Sequence, residues 1–436
     1  MSDHYSALHA RLASGQAQVG VIGLGYVGLP LAVELARAGY TVIGFDVDAG
    51  KVASANRGEN YVRDVDPGDF ATVVENGRFR ATQDFADLGA VDSVSICVPT
   101  PLSKTRDPDM SFINAAVDEI LQYLPAGRLV VLESTTYPGT TKEFLLPRFE
   151  AKGWHAGDEV FLAFSPERVD PGNSAYKTRN TPKVVGGVTA RCLDLAVQLY
   201  SRAVDCVVPV SSATTAEMVK LLENTFRAVN IGLINEMALM CDRLGVSVWE
   251  VVEAAGTKPF GFMKFKPGPG LGGHCIPVDP HYLSWKLRLL KYRARFIELA
   301  ADVNSEMPGY VVSKVFEGLN RFHRSVNGSQ IFVLGVAYKR DVGDVRESPA
   351  LEVIELLQAR GADVMYNDPF VPAIVVNGRP LHSIDLTMDL LRGSDCTVLI
   401  TDHTCYDWDS IVSSSRLLID TRNATAGRTA DNIIKL

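Results

Sequence analysis

The amino-acid sequence predicts an α/β protein in which two doubly wound, parallel-sheet domains flank a central helical region. Three observations predict it. A short β-branched run ends in Gly23-Leu24-Gly25-Tyr26-Val27-Gly28, and an apolar-periodic stretch and a second strand ending at Asp46 follow. A stretch near the C-terminus repeats that pattern. Between the two copies the chain turns helical and unusually apolar.

The 436 residues have room for two or three separate cores. A composition of 47% hydrophobic and 22% charged residues is that of a globular protein. The 43 Lys+Arg against 51 Asp+Glu give a formal net charge of −8, which argues against a nucleic-acid partner. The apolar stretch from Val19 to Leu35 is broken by Gly23, Gly25, Gly28, Pro30 and Glu34, so it reads neither as a signal peptide nor as a membrane span. A cytosolic protein with no membrane partner is expected. Seven cysteines are scattered without a Cys-x-x-Cys pair, so neither a disulfide framework nor a metal site is expected.

In chain order, residues 19–22 read as a strand and Leu29, Leu31, Val33 and Leu35 as one face of a helix. Gly39 stops that helix, and residues 41–46 form the second strand of a βαβ unit. Further strands are expected at 93–98, 128–132 and 160–164, which completes a first domain over residues 1–210. The middle region, residues 211–324, carries a helix over 216–244, another over 247–256, and a Gly/Pro-rich loop from Lys258 to Pro280. One further helix is expected from about 280 to 320.

The last region, residues 325–436, echoes the first. Leu357, Gly361, Val364 and Asp368 match Leu35, Gly39, Val42 and Asp46 in type and spacing. TVLI (397–400) resembles SICV (95–98), and LLID (417–420) resembles VVLE (130–133). Both outer domains are therefore expected to be Rossmann-like.

The glycine motif lies between a strand and a helix, where a dinucleotide fingerprint belongs. Gly23 permits the tight turn, Gly25 lets a pyrophosphate approach the backbone, and Gly28 lets helix and strand pack closely. A carboxylate at Asp46 suits both ribose hydroxyls and repels a 2′-phosphate, so NAD⁺ is expected rather than NADP⁺.

Cys275 lies in the crowded loop PGPGLGGHCIPVDP (267–280), with Asp279 four residues later. A core cysteine would sit more naturally inside an apolar strand, as Cys97 does, so either a reactive thiol or a structural one fits here. Lys220 and Asn224 stand one helical turn apart and could hold an oxyanion, or simply form a solvated polar face. Thr100, Thr135 and Glu167 each follow a strand at the end where open α/β sheets place ligands. His274 beside Cys275 could form a thiolate–imidazolium pair, although neighbours on a loop often point apart.

With these segments in place, the chain resembles the UDP-glucose/GDP-mannose dehydrogenase family over nearly its full length. The resemblance rests on GLGYVGLPLA (23–32), Pro-Thr-Pro at 99–101, Ser-Thr at 134–135, SPE (165–167), Lys220-x₃-Asn224, GGHCIPVDP (272–280) and GVAYKRDVGDVRESPA (335–350). TKPFGF (257–262) with the glycine loop looks most like the UDP-N-acetyl-D-glucosamine 6-dehydrogenases. These make uronic acids for surface polysaccharides such as lipopolysaccharide O-antigen.

The resemblance implies a four-electron oxidation with NAD⁺ as cofactor and a UDP-sugar as substrate. Cys275 would be the covalent nucleophile; Lys220, Asn224 and Asp279 would position water and stabilise the alkoxide; Glu167 and Thr135 would assist proton movement. Gly23, Gly25, Gly28, Asp46, Thr100 and Arg346 would hold NAD⁺, and Lys339, Phe265, Gly272, Gly273 and Arg422 the sugar nucleotide. Several UDP-glucose-specific relatives carry a second glutamate where this chain has Pro171, which argues mildly against glucose; UDP-glucose, UDP-N-acetylgalactosamine and UDP-N-acetylmannosamine stand as the alternative substrates. The apolar middle helix implies a homodimer or higher homo-oligomer. A two-electron hydroxyacid dehydrogenase would also fit the cofactor domain and helical middle, but would need neither Cys275 nor a second nucleotide-type domain; a silent sugar-nucleotide sensor is the other rival, and the retention of Cys275, Lys220, Asn224 and Asp279 together argues against it.

Overall fold

A computed structural model describes residues 4–103, 107–170, 173, 175–273 and 275–436. The chain divides into two compact units, Met1–Glu223 with His281–Tyr292, and Asn224–Pro280 with Arg293–Leu436.

The first unit is built on eight strands: β1 (Gln18–Ile22), β2 (Thr41–Phe45), β3 (Phe79–Thr82), β4 (Ser93–Ile96), β5 (Arg128–Leu132), β6 (Val160–Phe164), β7 (Lys183–Gly187) and β8 (Val207–Val210). Their order is β3-β2-β1-β4-β5-β6-β7-β8, parallel throughout except between β6 and β7. The strands of β4 and β6 are buried along their whole length, which explains why they read as apolar runs rather than alternating patterns. Val19, Val21 and Phe161 pack with Leu29, Leu31 and Leu195 on one side of the sheet. Ile22, Ile96 and Leu132 pack with Ile113 and Val117 on the other. Burying each of these large side chains contributes roughly 1.5–3 kcal/mol. The order reverses between β1 and β4, the switch point beside which ligands bind in such sheets.

The segment 281–292 packs on this unit. The rings of Tyr137 and Trp285 lie 4.9 Å apart, the Tyr282 hydroxyl donates to the Thr100 carbonyl, and Lys286 pairs with Glu143.

The second unit takes in the long helix Ala213–Leu244 from Asn224 onward. Inside it, the Asn235 amide donates to Asn304 at 2.8 Å, and Lys314 reaches both oxygens of Asp242 at 2.7 Å. Its main sheet uses β9 (Gln330–Leu334), β10 (Asp363–Asn367), β13 (Cys396–Leu399), β14 (Leu418–Asp420) and β15 (Ile433–Lys435) in the parallel order β10-β9-β13-β14-β15. A hairpin of β11 (Ala373–Val376) and β12 (Arg379–His382) lies outside it.

The second sheet repeats the first with β9, β10, β13 and β14 in the places of β1, β2, β4 and β5. Gly23 donates its N–H to the Phe45 carbonyl, and Gly335 donates likewise to Asn367. The pairing corrects two details of the sequence match. Ile22 faces Ile96 and Leu334 faces Leu399, so TVLI aligns with 94–97 rather than 95–98. Asp420 pairs with Leu399 as Leu132 does with Ile96, so Asp420 corresponds to Leu132 and not to Glu133. A one-residue slip reverses every side chain.

The helix expected from 280 to 320 is two helices, Asp279–Leu289 and Arg295–Arg321. Lys291 takes the left-handed conformation (φ 58°), its N–H meets the Arg288 carbonyl at 3.0 Å, and the Tyr292 N–H meets Leu287 at 2.9 Å. That is a Schellman stop with lysine in the place usually taken by glycine, so the residue type concealed it.

Candidate active site and nucleotide pocket

The glycine turn has the geometry a pyrophosphate needs. Gly23 adopts φ +92°, and a Cβ there would strike the Cys97 carbonyl. A Cβ on Gly28 would overlap the Gly23 carbonyl oxygen, whereas one on Gly25 meets no described atom within 4 Å. Close packing is thus confined to two glycines, and the third leaves its backbone open to a ligand. The helix Gly28–Arg37 starts without a side-chain cap, leaving its positive end for an anion. Asp46 accepts the Leu24 N–H at 2.9 Å and the Asp48 N–H at 3.0 Å, so its carboxylate is fixed at the rim of the turn. These residues fit NAD⁺. Thr100 is half-buried, held through its carbonyl by Tyr282.

In the same unit, the Lys220 ammonium donates to the Glu167 carbonyl at 2.6 Å. Glu167 folds its own carboxylate back onto the N–H groups of Arg168 and Val169, both at 2.7 Å. Thr135 is half-buried beside Ser134, whose hydroxyl donates to the Val98 carbonyl at 2.7 Å. Glu133, just before them, is fully buried against Lys183 at 2.7 Å and receives the Tyr200 hydroxyl. Burial opposes the charge of Lys183, but Glu133 and Glu167 outweigh it and hold the ammonium protonated. No local pattern signals this pair, because Lys183 begins a strand that the periodicity does not mark.

The second unit gathers a different set. The Asn224 amide donates to the Asp279 carboxylate at 2.5 Å, and the Asp279 and Val278 N–H groups both reach the Cys275 carbonyl, at 2.7 and 3.1 Å. Cys275, half-buried, therefore opens a helical turn, the end at which the backbone partial charge is positive. Gly272 and Gly273 pack on Tyr338, with less room than a Cβ needs, and the Gly273 N–H meets the Arg346 carbonyl at 3.0 Å. The Arg346 guanidinium itself is bonded to Asp344, at 2.6 Å at its nearest. Lys339 is half-buried next to Tyr338, and Phe265 packs edge-on to Phe226 with ring centres 5.9 Å apart. His274 and Pro171 lie outside the described residues.

Arg422 lines a pocket of about 380 Å³ with Trp249, Lys266, Arg340, His403 and Trp408. Its Nε donates to the Ile400 carbonyl at 2.9 Å. A Cβ on Gly268 would fall 2.6 Å from the guanidinium, so only glycine allows that approach, and the Gly268 N–H is anchored to Asn235 at 2.9 Å. Asp402 also lines the pocket and pairs with Arg340, which leaves Lys266 and Arg422, beside the two indoles, to take a diphosphate and a flat base. Of these residues only Arg422 is expected from the sequence at the sugar nucleotide. Two of the chain's four tryptophans here were the available signal.

Three family models match in succession: the UDP-glucose/GDP-mannose dehydrogenase family NAD binding domain (residues 17–204), central domain (214–306) and UDP binding domain (332–427). A UDP-N-acetyl-D-mannosamine dehydrogenase of Pyrococcus horikoshii is 36% identical over 93% of this chain and 95% of its own. A UDP-N-acetyl-D-glucosamine 6-dehydrogenase of Pseudomonas aeruginosa is 35% identical over 82% and 83%. The solved structure of a UDP-D-ManNAc dehydrogenase from Pyrococcus horikoshii superposes with a TM-score of 0.87, at 34% identity, over 96% of this chain and 98% of that one. Among the described residues no helix is long and apolar enough to cross a membrane. Motifs, paired sheets and relatives agree over almost the whole length: the chain belongs to the UDP-glucose/GDP-mannose dehydrogenase family.

Proposed function

We propose that this protein oxidises the C6 hydroxymethyl group of UDP-N-acetyl-D-glucosamine to the carboxylate, in two two-electron stages. The observation that carries the reading is the joining of Cys275, Asp279 and Asn224 by hydrogen bonds at the start of one helical turn. UDP-N-acetyl-D-mannosamine is the second reading, favoured by the relative that covers more of the chain.

Gly23, Gly25, Gly28, Asp46 and Thr100 would hold NAD⁺, which supplies hydride acceptance at each stage. Arg346 was expected beside the cofactor; its pairing with Asp344 makes it, in this reading, a brace for the glycine loop. Cys275 sulfur bonds to C6 at the aldehyde level, giving a tetrahedral alkoxide and then a thioester that water cleaves to the acid. Splitting the oxidation into bonded stages lowers each barrier. Lys220 and Asn224 stabilise the oxygen on C6 by a few kcal/mol, about one oxyanion-hole donor each. Asp279 orients Asn224, and Glu167 with Thr135 moves protons through water. Arg422 takes the diphosphate, with Lys339, Phe265, Gly272 and Gly273 completing the sugar-nucleotide site.

Phe226, Leu233, Met240 and Leu244 form an exposed stripe on the long helix, spaced for a partner helix. We take it to bury a homodimer interface, and a monomer in light scattering at micromolar concentration overturns that. In this reading the protein works in the cytosol, and its product enters surface-polysaccharide synthesis.

Turnover of the UDP-activated forms of N-acetylglucosamine, N-acetylmannosamine, N-acetylgalactosamine and glucose, with NADH counted per sugar, tests the reading. About two NADH per sugar and preference for an N-acetylhexosamine are expected. One NADH per sugar supports a two-electron dehydrogenase instead, and no turnover on any of them supports a sensor.

A further inference from the structure

Lys220 lies on a helix whose preceding turn is fastened by a side chain that the proposed chemistry does not use. Glu217 is 1% exposed. One of its oxygens accepts the Gly139 N–H at 2.5 Å, and the other accepts the Thr141 N–H at 2.8 Å and the Thr141 hydroxyl at 2.7 Å. Gly139 is left-handed (φ 97°) and begins the turn leading into the helical segment from Thr140, so the carboxylate caps that segment's positive end. Burial pushes the carboxyl's pKa up, and the Thr141 and Gly139 donors pull it back.

Glu217 precedes Lys220 by three residues, and both therefore lie on one helix face. Glu223, three residues further on, holds Arg168 through both carboxylate oxygens, at 2.5 and 3.2 Å. The two glutamates bracket the lysine. One ties the helix to the loop that carries Thr135, and the other ties it to the loop that carries Glu167. Of the two, only Glu217 is buried and saturated with backbone donors, which makes it the rigid end.

We propose that Glu217 is a positioning residue for Lys220: it fixes the lysine's turn of helix against the 139–141 turn, and so sets where the ammonium lies relative to Thr135 and Glu167. The inference rests on the role given to Lys220 above. An alternative is that Glu217 merely stabilises the fold.

Steady-state kinetics and melting temperatures of Glu217→Gln, Thr141→Ala and Lys220→Ala, with active enzyme counted by the NADH burst, separate these. Glutamine keeps the shape of Glu217 but sets an amide against a backbone N–H, shifting the helix. Displacement of a catalytic group by about 1 Å can cost on the order of a hundredfold in rate. For Glu217→Gln we expect kcat per active site to fall about ten- to a hundredfold with both KM values within about twofold. Thr141→Ala, which loses one bond of three, should show a smaller fall of the same kind. A normal kcat per active site in folded Glu217→Gln, with Lys220→Ala inactive, overturns the positioning role alone. Near-normal kcat in Lys220→Ala overturns the chemistry on which it rests. If Glu217→Gln does not fold, Thr141→Ala decides: a lower kcat at unchanged KM supports the role, and a lower melting temperature with normal kcat refutes it.

Discussion

Replacing Lys183 by methionine should destabilise the cofactor unit far more than an ordinary ion-pair loss. The Lys183 and Glu133 side chains are 5% and 0% exposed, with nitrogen and oxygen 2.7 Å apart. Methionine fills similar space but leaves the carboxylate buried with the Tyr200 hydroxyl and without its ammonium. Breaking such a pair on one side costs about 3–5 kcal/mol. At about 2–4 °C per kcal/mol for a domain of this size, the melting temperature should drop by roughly 6–20 °C. Burial already pushes Glu133 above its ordinary value of 4.5, with Lys183 pulling back. Without Lys183 the push of burial is opposed by the Tyr200 hydroxyl but no longer by the ammonium, so the folded carboxyl binds its proton more tightly than the unfolded one. That stabilisation is complete below 4.5 and is lost as pH rises through the raised folded value. The deficit should therefore be small in acid and full at neutral pH. Calorimetry of the variant, the parent and Lys183→Met/Glu133→Gln between pH 5 and 8 checks this, and the double variant should recover most of the loss. A deficit under about 1 kcal/mol, as for a surface pair, or one that does not change with pH, refutes the reasoning.

Three further outcomes bear on the chemistry. Cys275→Ser should release little acid and produce no more than about one NADH per sugar, while full turnover by this variant refutes the covalent role. Asp46→Ala should raise the KM for NAD⁺ about tenfold or more and narrow its advantage over NADP⁺, since a charged hydrogen bond is worth roughly 1.5–3 kcal/mol; an unchanged preference locates the ribose contact elsewhere. Arg422→Ala should raise the KM for the UDP-sugar and the inhibition constant for UDP together, by about ten- to a hundredfold, and leave the KM for NAD⁺ alone. An equal rise in the KM for NAD⁺ would mean that the substitution disturbs the fold and not the pocket alone.

The cofactor turn was legible because every part of it is local. Its glycines, strand, helix and acid fall within residues 19–46, and each position admits few residue types. The repeat was legible through spacing but slipped by one residue in two strands, since apolar runs of four look alike in either register. The helix break at Lys291 was hidden because an unexpected residue holds the left-handed position. The pocket around Arg422 was mostly invisible for a different reason. Trp249, Lys266, Arg340, Asp402 and Trp408 come from segments far apart in the chain, and only the folded unit brings them together. Glu217 read as one more charge on a helix; no local pattern announces a carboxylate that caps another segment 76 residues away.

The two sheets show how one architecture is turned to two ligands. Asp46 and Asp368 end equivalent strands and each receives N–H groups from the turn after the first strand of its sheet, Leu24 in one and Val336 with Ala337 in the other. There the likeness stops. Asp46 has the Asp48 N–H and, at 3.7 Å, the Lys51 ammonium as its further partners, whereas Asp368 is sealed by the fully buried His403 ring at 3.0 Å and by the Phe370 N–H at 2.9 Å. His403 accepts the Asp341 N–H on Nδ1 and so carries its proton on Nε2, facing Asp368. Against the push of burial, that ring and the Ala337 N–H hold the Asp368 carboxyl below its usual range. An acid so occupied has nothing left for a ribose. In this unit a pocket lies at the ends of β9, β13 and β14, lined by Arg340, Asp402 and Arg422. The fold supplies strand ends at a switch point in both sheets. In one sheet the acid after the second strand accepts backbone N–H groups from the turn, and in the other a buried histidine has claimed it as well.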